Sequence, residues 1–215
     1  MVNVSSIIDH TLLKPTATYG DFKILCEQAI VNGFYSVCVP SYMVRSCKKA
    51  LSGTTVKVCT VVGFPLGYSD YLAKIIETKQ SIKYGADEID AVINVSALKS
   101  KDFKYVEKEI ALLRKTVENK VLKIIIETAY LSEEEKNKVA KMILKNGVDF
   151  LKTSTGFAPS GATIEDVKFF KKILANNVKI KASGGISTYK QAEELIRAGA
   201  NRLGTSKSLQ IINNE

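Results

Sequence analysis

The stretch VLKIIIETAYLSEEEKNKVAKMILKNGVDFLKTS, residues 121–154, holds a complete strand–helix–strand unit. Its first eight residues, 121–128, are short, apolar and β-branched, as a buried strand requires. Ser132 with Glu135 three residues on has the form of a capping box. Apolar residues then recur at i, i+3, i+4 and i+7, the spacing of one helical face. Gly147 supplies the left-handed stop, and DFLKTS at 149–154 reads as the next strand.

The same alternation runs along the whole chain. Further strand candidates are 6–13, 35–40, 56–63, 87–94, 178–184 and 200–206, which makes eight in all. Amphipathic helical patterns lie between them, as in DFKILCEQAIVNG, SDYLAKIIETKQSIKYG and KYVEKEIALLRKTVEN. Gly33, Gly85 and Gly199 stand where helices should stop. Strict alternation implies a parallel sheet with helices outside it. Eight units predict closure into a (β/α)8 TIM barrel, a single domain over residues 1–215. A doubly wound open sheet is the rival, but no G-x-G-x-x-G follows the first strand.

The totals agree with one globular domain: 215 residues, 46% apolar and 25% charged. Lys and Arg number 31 against 22 Asp and Glu, a net charge of +9. The bases are overwhelmingly lysine and spread along helical faces, whereas nucleic-acid readers lean on arginine. The charge therefore reads as a solvated surface, compatible with a mild pull on small anionic substrates. Cys26, Cys38, Cys47 and Cys59 show no C-x-x-C spacing, and His10 is the single histidine, which argues against zinc. The N-terminus lacks a secretion signal, and no apolar run reaches the ~20 residues that cross a bilayer. A cytoplasmic protein with no membrane partner is expected.

Strand parity sorts the candidate chemistry. In VKIKAS, Lys179, Lys181 and Ser183 oppose an apolar face. In EIDAVIN, Glu88, Asp90, Val92 and Asn94 share one face; in LKIIIET, Lys123, Ile125 and Glu127 do. The polar faces should point into the barrel, where layers of paired side chains can be plain structure. Asp90, Lys152 and Lys181, however, fall in the middle or C-terminal part of their strands, the end where barrel enzymes work. Lys57 and Lys123 stand at strand beginnings, the end tied to stability, and Lys179 lies one layer deeper than Lys181.

Two lysines and a carboxylate suggest imine chemistry. An amine attacks a carbonyl only when neutral, and burial or a neighbouring cation favours that form. Lys181 beside Lys152 would thus make Lys152 the nucleophile, with Asp90 moving protons. Thr155 and Gly156 follow Lys152 in a small polar loop. Ser183-Gly184-Gly185 follows strand seven, and Gly204-Thr205-Ser206 follows strand eight, before a short helical run KSLQII. Loops there commonly hold phosphate in such barrels, although paired glycines can also merely make a tight turn.

An ordered set of motifs resembles the deoxyribose-phosphate aldolase family: IDHTLLKP at 8–15, VCTVVGFPLG at 58–67, GADEIDAVINV at 85–95, FLKTSTGF at 150–157, IKASGGI at 180–186 and RAGANRLGTS at 197–206. The resemblance implies a (β/α)8 barrel that cleaves 2-deoxy-D-ribose 5-phosphate, a small phosphorylated sugar, with no cofactor, no metal and no nucleic-acid partner. It implies Lys152 as the Schiff-base lysine, Lys181 as the second lysine that tunes it and Asp90 as the acid–base carboxylate. Gly156, Gly184, Gly185 and Ser206 match phosphate positions, with Thr155 and Gly204 beside them. Asp9 matches a supporting residue at the first strand's end, and Cys38 a site-adjacent cysteine with no required role. A homodimer is compatible with it. Three features depart from the family: Lys207 after Ser206, Phe157 where some members have lysine, and an end at Asn213, Asn214 and Glu215 without a C-terminal tyrosine tail.

Overall fold

The computed structural model describes residues 3–213, and within them the eight strands close into a parallel barrel. They are β1 Ile8–Thr11, β2 Ser36–Val39, β3 Lys57–Val62, β4 Glu88–Val92, β5 Val121–Ile125, β6 Phe150–Lys152, β7 Lys179–Ser183 and β8 Arg202–Thr205. Each pairs in parallel with the next, and β8 returns to β1 through Ile8 opposite Leu203. The helices between them are α1 Tyr19–Val31, α2 Val44–Ala50, α3 Tyr71–Lys83, α4 Val95–Lys99, α5 Phe103–Val117, α6 Glu133–Lys145, α7 Ile164–Leu174 and α8 Tyr189–Ala198, with α9 Ser208–Ile212 after β8. No helix among the described residues is long and apolar enough to cross a membrane.

Local chemistry sets the boundaries. Ser132 and Glu135 form the expected capping box at α6, and the Asp70 and Asp102 side chains accept from the first turns of α3 and α5. The strands are shorter than the apolar runs that contain them. The run at 6–13 keeps only Ile8–Thr11, because Val4–Ile7 turns as a 3₁₀ helix. The run at 149–154 keeps only Phe150–Lys152, which leaves Thr153 to Gly156 as loop.

The apolar core lies between barrel and helices. The outward faces of β4 and β5 (Ile89, Ala91, Leu122, Ile124) are fully buried, as are Val106, Ile110 and Leu113 of α5. Each such Val, Leu or Ile side chain contributes about 1.5–3 kcal/mol. α3 breaks the amphipathic expectation: Leu72 and Ile76 are exposed, whereas Lys74, Thr78 and Ser81 are buried. Lys74 is tolerated there because its ammonium donates to Glu109 Oε1 at 2.5 Å and to the carbonyls of Gly67 and Val92 at 2.6 and 2.7 Å. A buried charge with such partners ties the loop after β3 to the end of β4.

Candidate active site

The barrel interior carries charge beside a small apolar cluster of Cys38, Cys59 and Val61. Asp9, Glu88, Asp90, Lys123, Lys152, Lys181 and Arg202 all point inward and are buried. Strand alternation delivers them: Asp90 is the third residue of β4, Lys152 the last of β6 and Lys181 the third of β7. Lys152 and Lys181 are Cα partners on neighbouring strands. Their ammonium groups donate to the same atom, Asp90 Oδ2, at 2.9 and 2.7 Å. The other oxygen, Asp90 Oδ1, accepts from Lys123 at 2.9 Å and from the Cys59 thiol at 3.2 Å.

The electrostatics follow from those contacts. Burial opposes ionisation of Asp90, but Lys123, Lys152 and Lys181 outweigh it and hold the carboxyl well below its ordinary range. Burial likewise disfavours the charged form of Lys181, yet Asp9 and Asp90 overcome it and push its pKa up. Lys181 also donates to Asp9 Oδ2. Asp9 in turn accepts from Ser36 Oγ at 2.7 Å and Arg202 at 2.8 Å, and its cationic neighbours hold it low against the cost of burial. It contacts the cluster from the second of four positions in β1, not from the strand's end. Burial, Cys38 and Asp90 together raise the Cys59 thiol, which keeps it a donor. Two donor sets converge in the interior, Cys38–Cys59–Asp90 and Asp9–Cys59–Glu88, but their carboxylates are already engaged by lysine and arginine.

Above the cluster, at the C-terminal end of the barrel, lies a cleft of about 450 Å³. Of the buried cluster only Lys152 lines it. The walls include the residues singled out for phosphate: Thr155, Gly156, Gly184, Gly185, Gly204 and Ser206. Gly184 has φ +86°, and a Cβ there would meet Gly161 Cα at 3.0 Å, so the close approach of the β6 and β7 loops requires glycine. Gly204 has a further role. A Cβ on it would lie 2.9 Å from Lys181 Cε, so its bareness makes room for that lysine. Lys14 and Lys207 add two positive charges to the rim. Phe157 also lines the cleft and stacks edge-on against Phe64 at 5.3 Å between centroids. Cys38 is buried against Cys59 and does not reach it. Asn214 and Glu215 lie outside the described residues.

Two residues gain weight that their sequence did not signal. Lys123 stands at the middle of β5, not at a strand beginning of merely structural interest, and it is in contact with Asp90. Glu127 follows β5 in a left-handed conformation and accepts both the hydroxyl and the amide of Thr155. Thr155 Oγ1 therefore serves the loop itself and also accepts from the Phe157 amide at 3.1 Å.

Comparison with known proteins places these features in a family. The profile of the DeoC/LacD family of aldolases matches residues 4–206. A deoxyribose-phosphate aldolase from Clostridioides difficile (strain 630) is 47% identical over 215 residues, covering 100% of this chain and 98% of its own. One from Dictyoglomus turgidum is 50% identical over 206 residues, 96% and 94% of the two chains. Among solved structures, the aldolase QR15 superimposes with a TM-score of 0.95 at 38% identity, covering 99% of this chain and 96% of its own. A tetrameric deoxyribose-phosphate aldolase from Aeropyrum pernix gives 0.89 at 28% identity, covering 98% and 89%.

Proposed function

The chain belongs to the DeoC/LacD family of aldolases, and on that footing we propose that it cleaves 2-deoxy-D-ribose 5-phosphate reversibly to D-glyceraldehyde 3-phosphate and acetaldehyde through an imine on Lys152. The observation that carries the assignment is that Lys152 alone among the buried cations opens to the cleft. Lys181 is fully buried and held in its charged form by Asp9 and Asp90, so it is not the amine that attacks.

In cleavage, Lys152 Nζ adds to C1 of the open-chain sugar, and loss of water gives the iminium. The C3 hydroxyl loses its proton, the C2–C3 bond breaks, and its electron pair moves into the iminium to form an enamine. Protonation at C2 and hydrolysis release acetaldehyde and regenerate the amine. Asp90 and Lys181, in contact at 2.7 Å, form the proton relay. Because three ammonium groups keep Asp90 ionised, it suits accepting a hydrogen bond and passing the proton on rather than retaining it. The phosphate sits at the far end of the cleft against Gly156, Gly184, Gly185 and Ser206, where Lys14 and Lys207 supply charge.

The four free cysteines suit a reducing compartment, and the cytoplasm is the location that goes with this reading. The exposed Leu72 and Ile76 of α3 offer an apolar surface of the kind a homodimer would cover. The test is one assay: cleavage of deoxyribose 5-phosphate with chelator present, wild type beside Lys152→Ala. Turnover by wild type alone supports the proposal; a wild type without turnover, or a variant that retains it, defeats it.

A further inference from the structure

We propose that Lys123, tethered by Glu88, is a positioning residue for the reaction: it pins one oxygen of Asp90 so that the other faces both Lys152 and Lys181. The inference rests on the imine reading above. It goes beyond it by assigning a role to a lysine that touches neither cleft nor substrate.

The geometry begins with the strands. Lys123 and Asp90 are Cα partners on β5 and β4, and both point into the barrel. The Lys123 ammonium donates to Asp90 Oδ1 at 2.9 Å and to Glu88 Oε2. It is fully buried and does not line the cleft. Of the reacting and relaying groups, Lys123 therefore touches Asp90 alone.

A carboxylate with both oxygens in contact cannot turn about its terminal torsion without breaking ion pairs. At Asp90 the division is clean. Oδ1 is taken by Lys123 and the Cys59 thiol, and Oδ2 by Lys152 and Lys181. Glu88 keeps Lys123 in place, and Arg202 holds Glu88 at 3.1 Å. The remaining charged group is Asp9, 3.9 Å from Lys123, while Cys38 adjoins Cys59 on β2. Lys123 is thus the one cation on Asp90 that neither reacts nor relays. Without it, Asp90 would lose both its orientation and one of three charges that keep it ionised.

The experiment compares wild type with Glu88→Gln, with Lys123→Met and with the double variant Lys123→Met/Glu88→Gln. The double variant removes the ion pair as a unit and so leaves neither partner buried alone. Circular dichroism and thermal melting establish folding, and borohydride with acetaldehyde reports imine formation on Lys152. Steady-state kinetics across pH give the decisive readout. In the double variant the expected result is a trapped Lys152 adduct and a KM within a few-fold of wild type. The kcat should fall about 10- to 100-fold, part of what acid–base groups contribute. The acidic limb of the profile should move to higher pH, because Asp90 protonates more easily. Glu88→Gln keeps every cation and removes an anion, so it should lower kcat without moving that limb to higher pH. A wild-type kcat and limb in folded Lys123→Met or double variant would overturn the proposal. Loss of folding in every variant would overturn it too, by assigning the pair to the fold. Failure of the underlying reading looks different: wild type itself would then show no turnover and no adduct.

Discussion

Lys152 and Lys181 stand side by side on β6 and β7, and their ammonium groups meet on one oxygen of Asp90. The two lysines are chemically alike but differently placed. Asp9 takes a second contact from Lys181, and the cleft takes the exposed side of Lys152. One amine is locked as a cation and the other is presented to substrate.

Asp90→Asn keeps the shape and removes the charge at the meeting point. We expect kcat/KM to fall by about 10²–10⁴-fold, the usual share of an acid–base group. Stability should fall as well, since three buried ammonium groups lose their shared counter-ion. The pH dependence has a definite sign. The folded pKa of Asp90 is depressed, so its contribution is complete above the ordinary value of 3.8 and is lost as pH falls toward the folded value. The gap in melting temperature between wild type and variant should therefore be widest near neutrality and shrink below that value.

Gly204→Ala tests whether this glycine, which the structure places inside β8 and not after it, serves Lys181. Its backbone lies outside the left-handed region, so alanine suits the chain there; the added methyl meets Lys181 Cε at 2.9 Å and Ser183 Cβ at 3.0 Å. Displacement of Lys181 should lower kcat at least tenfold, with a stability cost of about 1–3 kcal/mol for overpacking. A variant that lost only phosphate affinity, seen as a raised KM at unchanged kcat, would place the glycine in the phosphate site alone.

Glu127→Gln tests the tether of the loop that follows Lys152. Burial raises the Glu127 pKa against the pull of its Thr155 hydrogen bonds and Lys152. Glutamine retains an acceptor but loses the charge-assisted bond to the Thr155 hydroxyl. KM for the phosphorylated sugar should rise several-fold, and Thr155→Val should reproduce the effect. A wild-type KM in both variants would detach the tether from substrate binding.

The fold was legible because it rests on local periodicity. Ser132, Glu135 and Gly147 mark the ends of α6 in the sequence as they do in space. Parity along EIDAVIN and VKIKAS turned Asp90 and Lys181 inward, because a strand alternates whatever it packs against. Depth within the barrel was not legible. Lys123 looked like a strand-beginning residue, but the five-residue length of β5 and the barrel's stagger bring it level with Asp90. Nor was the inversion of α3 legible. Lys74 is buried on account of Glu109, which lies 35 positions along the chain, and no helical pattern encodes a partner at that range.

That inversion yields its own prediction. Lys74→Met should destabilise the protein by about 3–5 kcal/mol, because Glu109 would remain buried without its cation. Lys74→Met/Glu109→Gln, measured in the same chemical denaturation series, should recover most of the loss. Full additivity of the two single substitutions would show that the pair does not act as a unit.

The central claim is a covalent bond at one nitrogen, and reductive trapping reads it directly. Protein incubated with acetaldehyde and borohydride, digested and mapped by mass spectrometry, should be inactivated and carry an N-ethyl group on Lys152, and Lys152→Ala should lose the site-specific adduct. An adduct confined to Lys181 or to surface lysines, with Lys152 unmodified, would contradict the account.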